Sequence, residues 1–140
     1  MTEQELFDKY PKIFQRRFLP LTVSCMYWGV ACSETWYGII DKLCGRIQQY
    51  VDENHIPQVE AEQIKSKYGG LRFYTDCKDS NINKFIEDAE GEVLTTCEDC
   101  GATEGVATKR IQGWYSTLCP SCVEKRKTRG TCRQYIPHEG

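Results

Sequence analysis

The chain lacks a long apolar run and is poor in histidine. It contains no stretch of about 18 consecutive apolar residues, which is the length that a membrane-spanning helix needs. Residues 1–5 read MTEQE, without the basic start and apolar core of a secretory signal. We therefore expect a cytoplasmic protein that does not enter a membrane. The 2 histidines, His55 and His138, offer little material for histidine-centred catalysis.

Catalytic motifs are missing as well. The sequence has no phosphate-binding loop, no nucleophile elbow and no histidine-centred arrangement. Four carboxylates have no partner base at a spacing that would indicate catalysis: Glu34, Asp41, Glu60 and Glu62. We expect a protein that is not an enzyme, and a small divergent nuclease is the enzymatic alternative.

The composition is that of a folded protein. The 140 residues are 40% hydrophobic and 11% aromatic, and their net charge is −2, which is enough apolar material for an ordinary core. The charge is unevenly distributed. Residues 1–104 hold 11 Lys/Arg and 18 Asp/Glu, a balance of −7, whereas residues 105–140 hold 7 and 2, a balance of +5. This polarity indicates a basic C-terminal part that can take part in binding.

Hydrophobic periodicity predicts an α+β fold in which helices pack on a small antiparallel hairpin. The clearest helix covers residues 33–53, with Ser33 as its cap. Its apolar stripe at helical spacing consists of Trp36, Ile39, Ile40, Leu43, Cys44, Ile47 and Val51. Strands at 59–67 and 71–76 flank the pair Gly69-Gly70, which supplies the positive φ angles of a tight turn. Another helix covers residues 80–94, with Ser80 as its cap.

The first third of the chain gives weaker signals. Residues 2–5 have the capping-box pattern, which predicts a short helix that ends near residue 10. Pro11 can begin a second helix, which ends at Pro20 and places Phe18 on its apolar side. Residues 21–32 are apolar and irregular, and we expect them to form a buried loop or a short strand.

Four of the 9 cysteines have the spacing of a zinc site. An odd number excludes complete disulfide pairing within one chain, and a reducing compartment disfavours disulfides. Two residues separate Cys97 from Cys100, and 18 residues later Cys119 and Cys122 repeat that separation. Each pair lets one tight turn aim two sulfurs at the same point, and two pairs complete a tetrahedral site. The sequence therefore predicts one structural zinc ion bound by these residues.

The surrounding pattern predicts a zinc module over residues 96–140, after an α+β domain over residues 1–95. Strands at 106–110 and 114–118 separate the ligand pairs, and a helix at 123–129 follows them. This order resembles a treble-clef zinc finger, and a zinc ribbon is the alternative. A closed four-thiolate site leaves the metal no position for water, so its role is structural. No histidine lies between the ligand pairs, which argues against a nuclease.

The remaining cysteines leave a second metal site open. Cys25 and Cys32 can combine with Cys44, His55 or Cys77, but their spacing is not diagnostic. Buried free thiols and a surface histidine are the alternative interpretation.

Candidate binding residues are basic or aromatic. The basic set can contact phosphates or an acidic protein, or can simply be the solvated end of a helix. It consists of Lys109, Arg110, Lys125, Arg126, Lys127 and Arg129. Tyr115 is the aromatic residue that we expect to be exposed, because it is out of phase with Trp114 on a short strand. Most other aromatics are expected in the core: Trp28, Trp36, Tyr37, Tyr68, Tyr74 and Trp114.

Three segments together resemble a known group of proteins. They are residues 28–44 (WGVACSETWYGIIDKLC), residues 64–74 (IKSKYGGLRFY), and CEDCG at 97–101 with GWYSTLC at 113–119. The series is similar to small, functionally unassigned zinc-binding proteins of tailed bacteriophages and prophages, over roughly residues 10–122. The most specific piece is KYGGLRFY. Residues 33–35 (SET) depart from the pattern, since a glycine-containing turn is expected there.

The resemblance implies a host-cell cytoplasm as the setting and a non-catalytic role. We expect a phage-type, zinc-stabilised binding protein that engages a host macromolecule. A host protein or protein complex is the leading partner, and inhibition of a host defence complex is one form this can take. The alternative is a nucleic-acid-binding accessory or regulatory protein that uses the basic helix.

Overall fold

The computed structural model describes residues 1–129, and the protein is a mixed α+β structure with two small sheets. Its helices and strands are α1 (Glu3–Lys9), β1 (Val30–Ala31), α2 (Tyr37–Asn54), β2 (Ala61–Lys67), β3 (Gly70–Thr75), α3 (Ser80–Val93), β4 (Ala107–Ile111), β5 (Trp114–Leu118) and α4 (Pro120–Arg129). Short 3₁₀ helices occur at Gln15–Phe18, Cys25–Trp28 and Glu34–Trp36. No helix of the described residues has both the length and the apolarity to cross a membrane.

The N-terminal capping box is confirmed, but the helix predicted after it is wrong. The Thr2 hydroxyl accepts the Glu5 N–H at 3.1 Å, and the Glu5 carboxylate accepts the Thr2 N–H at 3.0 Å. A helix from Pro11 would use the Ile13 carbonyl internally. That carbonyl instead accepts the Ala61 N–H at 2.8 Å, where β2 begins. The chain is thereby tied to the sheet, and only a 3₁₀ turn remains.

Residues 21–28 are more exposed than predicted. Trp28 is 62% exposed and Tyr27 57%, and their rings meet edge to face. Only Met26 of the 3₁₀ helix enters the core. The prediction of a buried loop is therefore wrong for this part of the chain. The next residues form β1, whose Val30 N–H donates to the Glu3 carboxylate at 2.7 Å.

The predicted hairpin is confirmed and gains a third strand. The sheet order is β1-β2-β3, with β1 parallel to β2 and β2 antiparallel to β3. The turn differs by one residue from the prediction. Lys67 pairs with Gly70, so the two-residue turn consists of Tyr68 and Gly69, with φ of 53° and 81°. Gly70 belongs to the strand, and a tyrosine occupies a left-handed position.

Helix α3 packs on β3 and on α2, and α2 confirms the predicted apolar stripe. All seven stripe residues of the predicted 33–53 helix are buried. Ser33 caps the 3₁₀ turn that leads into α2, because its hydroxyl accepts the Thr35 N–H. The cap of α3 is Asp79 and not Ser80: its carboxylate accepts the N–H groups of Asn81 and Ile82 at 2.8 and 3.3 Å.

A second, smaller buried cluster lies in the C-terminal part and is fastened to the first. It consists of Cys97, Leu118, Cys119, Cys122 and Val123. The Trp36 indole N–H donates to the Thr96 carbonyl at 2.9 Å, and the Thr35 hydroxyl donates to the Cys97 carbonyl at 3.0 Å. The segment before α2 therefore holds the chain where the cysteine module begins.

Candidate metal centre

The first ligand pair is presented by a tight backbone turn. The Cys97 N–H donates to the Ala102 carbonyl at 2.8 Å, and the Gly101 N–H donates to the Cys97 carbonyl at 2.8 Å. Gly101 has φ of +81°, a conformation that glycine adopts without steric cost. The turn brings the Cys97 and Cys100 side chains to the same side, as the sequence predicts.

The second ligand pair lies where β5 gives way to α4. Cys119 follows the last residue of β5, and Cys122 lies in the first turn of α4. Pro120 begins the helix, a position that suits proline because its missing N–H has no helical partner there. The Val123 N–H donates to the Cys119 carbonyl at 3.0 Å. The positive end of the helix dipole favours thiolates at this position.

The four sulfurs form a compact group that fits one metal ion. All four Sγ atoms lie within 4.8 Å of one another, and those of Cys100 and Cys119 are 3.7 Å apart. With metal–sulfur bonds of about 2.3 Å, a tetrahedron has sulfur–sulfur edges of about 3.8 Å. Among residues 1–129, this is the one group of three or more metal-ligating side chains. The predicted ligands are thus brought together by the fold.

The thiol environment prepares one ligand for deprotonation. Burial raises the pKa of Cys97, but backbone hydrogen bonds from Cys119, Cys100 and Asp99 outweigh it and hold the pKa at about 7. Burial and the neighbouring thiols raise the pKa of Cys122 to about 12. A metal ion that binds here must displace the thiol protons. Metal binding therefore releases protons and weakens as the pH falls.

Arg126 braces the module from α4. Its guanidinium makes two hydrogen bonds to the Asp99 carboxylate, at 2.8 and 2.7 Å, and a third to the Ser116 hydroxyl at 2.6 Å. The side chain is only 14% exposed. Arg126 therefore connects the ligand turn, β5 and α4. Its guanidinium is occupied by contacts within the protein.

The other predicted basic residues lie at the surface. Lys109 and Arg110 are exposed on β4, and Lys125 and Lys127 are exposed on α4. Lys127 approaches Glu124 only to 4.0 Å. The side chain of Arg129 lies outside the described residues.

Most of the aromatic side chains expected in the core are exposed. Trp36 and Tyr37 are buried. The exposed fractions are 62% for Trp28, 67% for Tyr68, 44% for Tyr74, 41% for Trp114 and 48% for Tyr115. Tyr115 is thus exposed as predicted, and its ring meets that of Tyr68 edge to face, with 5.9 Å between centroids.

The remaining cysteines are dispersed. Cys44 is buried, Cys25 is exposed, and Cys32 and Cys77 are half-buried. Burial, followed by the charges of Glu98 and Glu3, raises the pKa of Cys32 to about 12. His55 is exposed and ends α2 with φ of 51°. Within the part of the chain that the structure describes, none of them joins a second group of three ligands; His138 lies beyond it.

Comparison with known proteins adds no assignment. No protein-family model, no curated protein and no solved structure matches the chain. The metal centre and the surface around it are therefore the features that bear on function.

Proposed function

We propose that this chain is a zinc-stabilised, non-catalytic binding protein that engages a macromolecule of a host cell. The observation that carries the proposal is the closed set of four cysteine ligands. Four protein thiolates fill a tetrahedral coordination sphere and leave no place for water or substrate. The metal then acts as a fold element, and the surface that it stabilises carries the activity.

Zinc is the metal that suits this centre in a structural role. Tetrahedral thiolate sites select zinc or iron over metals that prefer oxygen or planar geometry. The order of turn, β4–β5 hairpin and α4 supports a treble clef, in which the helix supplies the second ligand pair. Cys119, just before α4, and Cys122, in its first turn, would hold the ion from one side, and Cys97 and Cys100 would hold it from the turn.

The choice of a binding role rests on the surface. Tyr115 and Tyr68 are exposed together, next to cationic side chains on β2 and β4. Tyrosine and arginine are enriched among residues that dominate binding energies. The resemblance to phage proteins supplies the setting, so the partner is a host protein, a host defence complex or a host nucleic acid.

Affinity purification tests this proposal. Tagged protein is passed through bacterial lysate, with and without nuclease digestion, beside the variants Tyr115→Ala and Tyr27→Ala. We expect a macromolecule that is captured by the wild type and Tyr27→Ala but not by Tyr115→Ala, and loss of capture after nuclease digestion would identify it as a nucleic acid. Tyr27 is a suitable control because it is exposed, at 57%, outside the module.

Two outcomes would overturn the proposal. One is wild-type protein that elutes without any macromolecule under all conditions. The other is metal-dependent cleavage of DNA or RNA by the pure protein that disappears when a carboxylate is replaced, which would establish the nuclease alternative.

A further inference from the structure

The β2–β3 turn has an aromatic residue at a position where the backbone conformation favours a different residue type. A two-residue hairpin turn with positive φ at both positions favours Asn-Gly. Here the first position is Tyr68, with φ of 53°, and bulky residues are rare in that region. The residue is 67% exposed, so burial does not offset the strain. Strained, exposed residues of this kind concentrate at functional sites.

The fold brings this turn onto the β4–β5 hairpin. The Thr117 hydroxyl contacts the Gly69 carbonyl at 2.5 Å and the Thr108 hydroxyl at 2.7 Å. A Cβ atom at Gly69 would lie 2.8 Å from the Thr108 methyl group, so the approach requires glycine. This contact places Tyr68 beside Tyr115, a residue 47 positions further along the chain.

Each of the two rings has a cation next to it. The Lys67 ammonium lies 5.5 Å from the centre of the Tyr68 ring, and the Arg110 guanidinium carbon lies 5.9 Å from that of Tyr115. Arg110 is directly opposite Tyr115 in the hairpin. Neither cation forms an ion pair with any residue of the described range 1–129. We name Lys67, Tyr68, Arg110 and Tyr115 the two-turn surface.

We propose that the two-turn surface binds single-stranded nucleic acid. This proposal rests on the proposed function and names the class of its partner. Exposed aromatic rings stack on unpaired bases of any sequence, and cations next to the rings contact the phosphates. Duplex bases are already stacked on one another and offer no face to Tyr68 or Tyr115. Tyrosine and arginine also dominate protein interfaces, and capture of a protein is therefore one outcome of the test.

The basic helix is not needed for this mode of binding. The cations of the surface come from β2 and β4, and Arg126 of α4 is occupied with Asp99. The overall charge of −2 is compatible with it, because a local cluster of cations determines contact with phosphates.

Fluorescence anisotropy with labelled 15-nucleotide oligothymidine and oligouridine tests the proposal, at two salt concentrations. We expect both probes to bind, and to bind more weakly at higher salt. Tyr68→Asn creates the preferred Asn-Gly turn, so the melting temperature stays equal or rises. Its Kd nevertheless rises about tenfold, because one stacking ring is lost. Arg110→Ala lowers the salt dependence by about one released counterion.

Gln112→Asn is the matched control. Gln112 has φ of 53° and precedes Gly113 in the β4–β5 turn, as Tyr68 precedes Gly69. The variant makes the same turn improvement without touching an aromatic ring, and its Kd is expected to match the wild type. Zinc content and melting temperature are measured for every variant, which separates lost binding from lost folding.

Three results would overturn the inference. The first is that neither oligonucleotide binds at concentrations where the protein is soluble. The second is that Tyr68→Asn binds with unchanged affinity. The third is that a labelled double-stranded oligonucleotide binds as tightly as the single-stranded probes. Capture of a protein that needs Tyr115, with no oligonucleotide binding, overturns this inference and leaves the proposed function standing. Capture of no macromolecule at all would overturn both this inference and the proposed function.

Discussion

At the scale of single residues, Arg126 shows that basic side chains of one helix have different tasks. Its neighbours Lys125 and Lys127 extend into solvent, whereas its guanidinium bonds to Asp99 and Ser116. Hydrogen bonds between charged partners in a partly desolvated place contribute more than exposed ion pairs. Arg126 is therefore a bracing residue of the metal module.

Arg126→Ala is expected to destabilise the module, and Lys127→Ala is not. The variant loses three hydrogen bonds that join α4 to the ligand turn and to β5, which costs about 2 kcal/mol. Lys127, 60% exposed, changes the free energy of unfolding by less than about 0.5 kcal/mol. Urea unfolding measures both. Equal stability of the two variants would contradict the bracing role.

Some of these residues could be predicted from sequence and others could not. The ligands Cys97 and Cys122 follow from spacing, since few chemistries other than metal binding need that repeat. The exposure of Tyr68 does not follow, because three consecutive residues, Tyr68 to Gly70, offer two placements of the turn. Strand register decides between them, and register depends on pairing across the whole hairpin.

At the scale of elements, the two hairpins use the same turn in different surroundings. Gly69 and Gly113 each occupy the second turn position, with φ of +81° and +88°. Among the described residues, a Cβ at Gly113 would meet nothing within 4 Å, whereas one at Gly69 would meet Thr108 at 2.8 Å. The β2–β3 turn is thus also a contact between the sheet and the cysteine module.

Gly69→Ala is expected to lower the free energy of unfolding more than Gly113→Ala does, by the cost of crowding against Thr108. A left-handed alanine costs about 1 kcal/mol in each. Gly69→Ala adds crowding against Thr108, worth about 1–2 kcal/mol more. Denaturant unfolding of both variants gives the difference directly. Equal losses of unfolding free energy would show that the β2–β3 turn does not need to approach the β4–β5 hairpin closely.

Element prediction succeeded where periodicity is long and failed where a distant contact decides. The 18 residues of α2 present enough turns for an apolar stripe to be recognised. The helix expected after Pro11 is absent because the Ile13 carbonyl pairs with Ala61. The two-residue strand β1 is one of the two forms expected for residues 21–32, but its exact position is decided by its parallel pairing with β2.

At the scale of the whole molecule, the described part of the metal module, residues 96–129, buries too little apolar material to fold alone. Among these described residues, three of the five in the buried cluster are ligand cysteines. The others are Leu118 and Val123, with Ala102, Val106 and Ile111 partly buried against them. The main cluster holds 24 buried residues. Cores this small need a metal or a disulfide. The metal is thus expected to control folding of the C-terminal part and not of the remainder.

Metal removal is expected to unfold the module selectively. After treatment with a chelator, hydrogen exchange should become fast in β4, β5 and α4. It should stay slow in α2, which belongs to the main cluster. Mass spectrometry of the exchanged protein locates the change. Protection of β5 that survives complete metal loss would show that the module is stable by packing alone.

The central claim is that Cys97, Cys100, Cys119 and Cys122 hold one structural zinc ion, and metal analysis of protein purified without added metal tests it most directly. We expect one zinc per chain in the wild type and in Cys25→Ser, whose thiol lies outside the cluster. Cys97→Ser should lose the zinc together with the module fold. Wild-type protein that is folded with less than roughly half a zinc per chain, or that contains iron instead, would contradict the account.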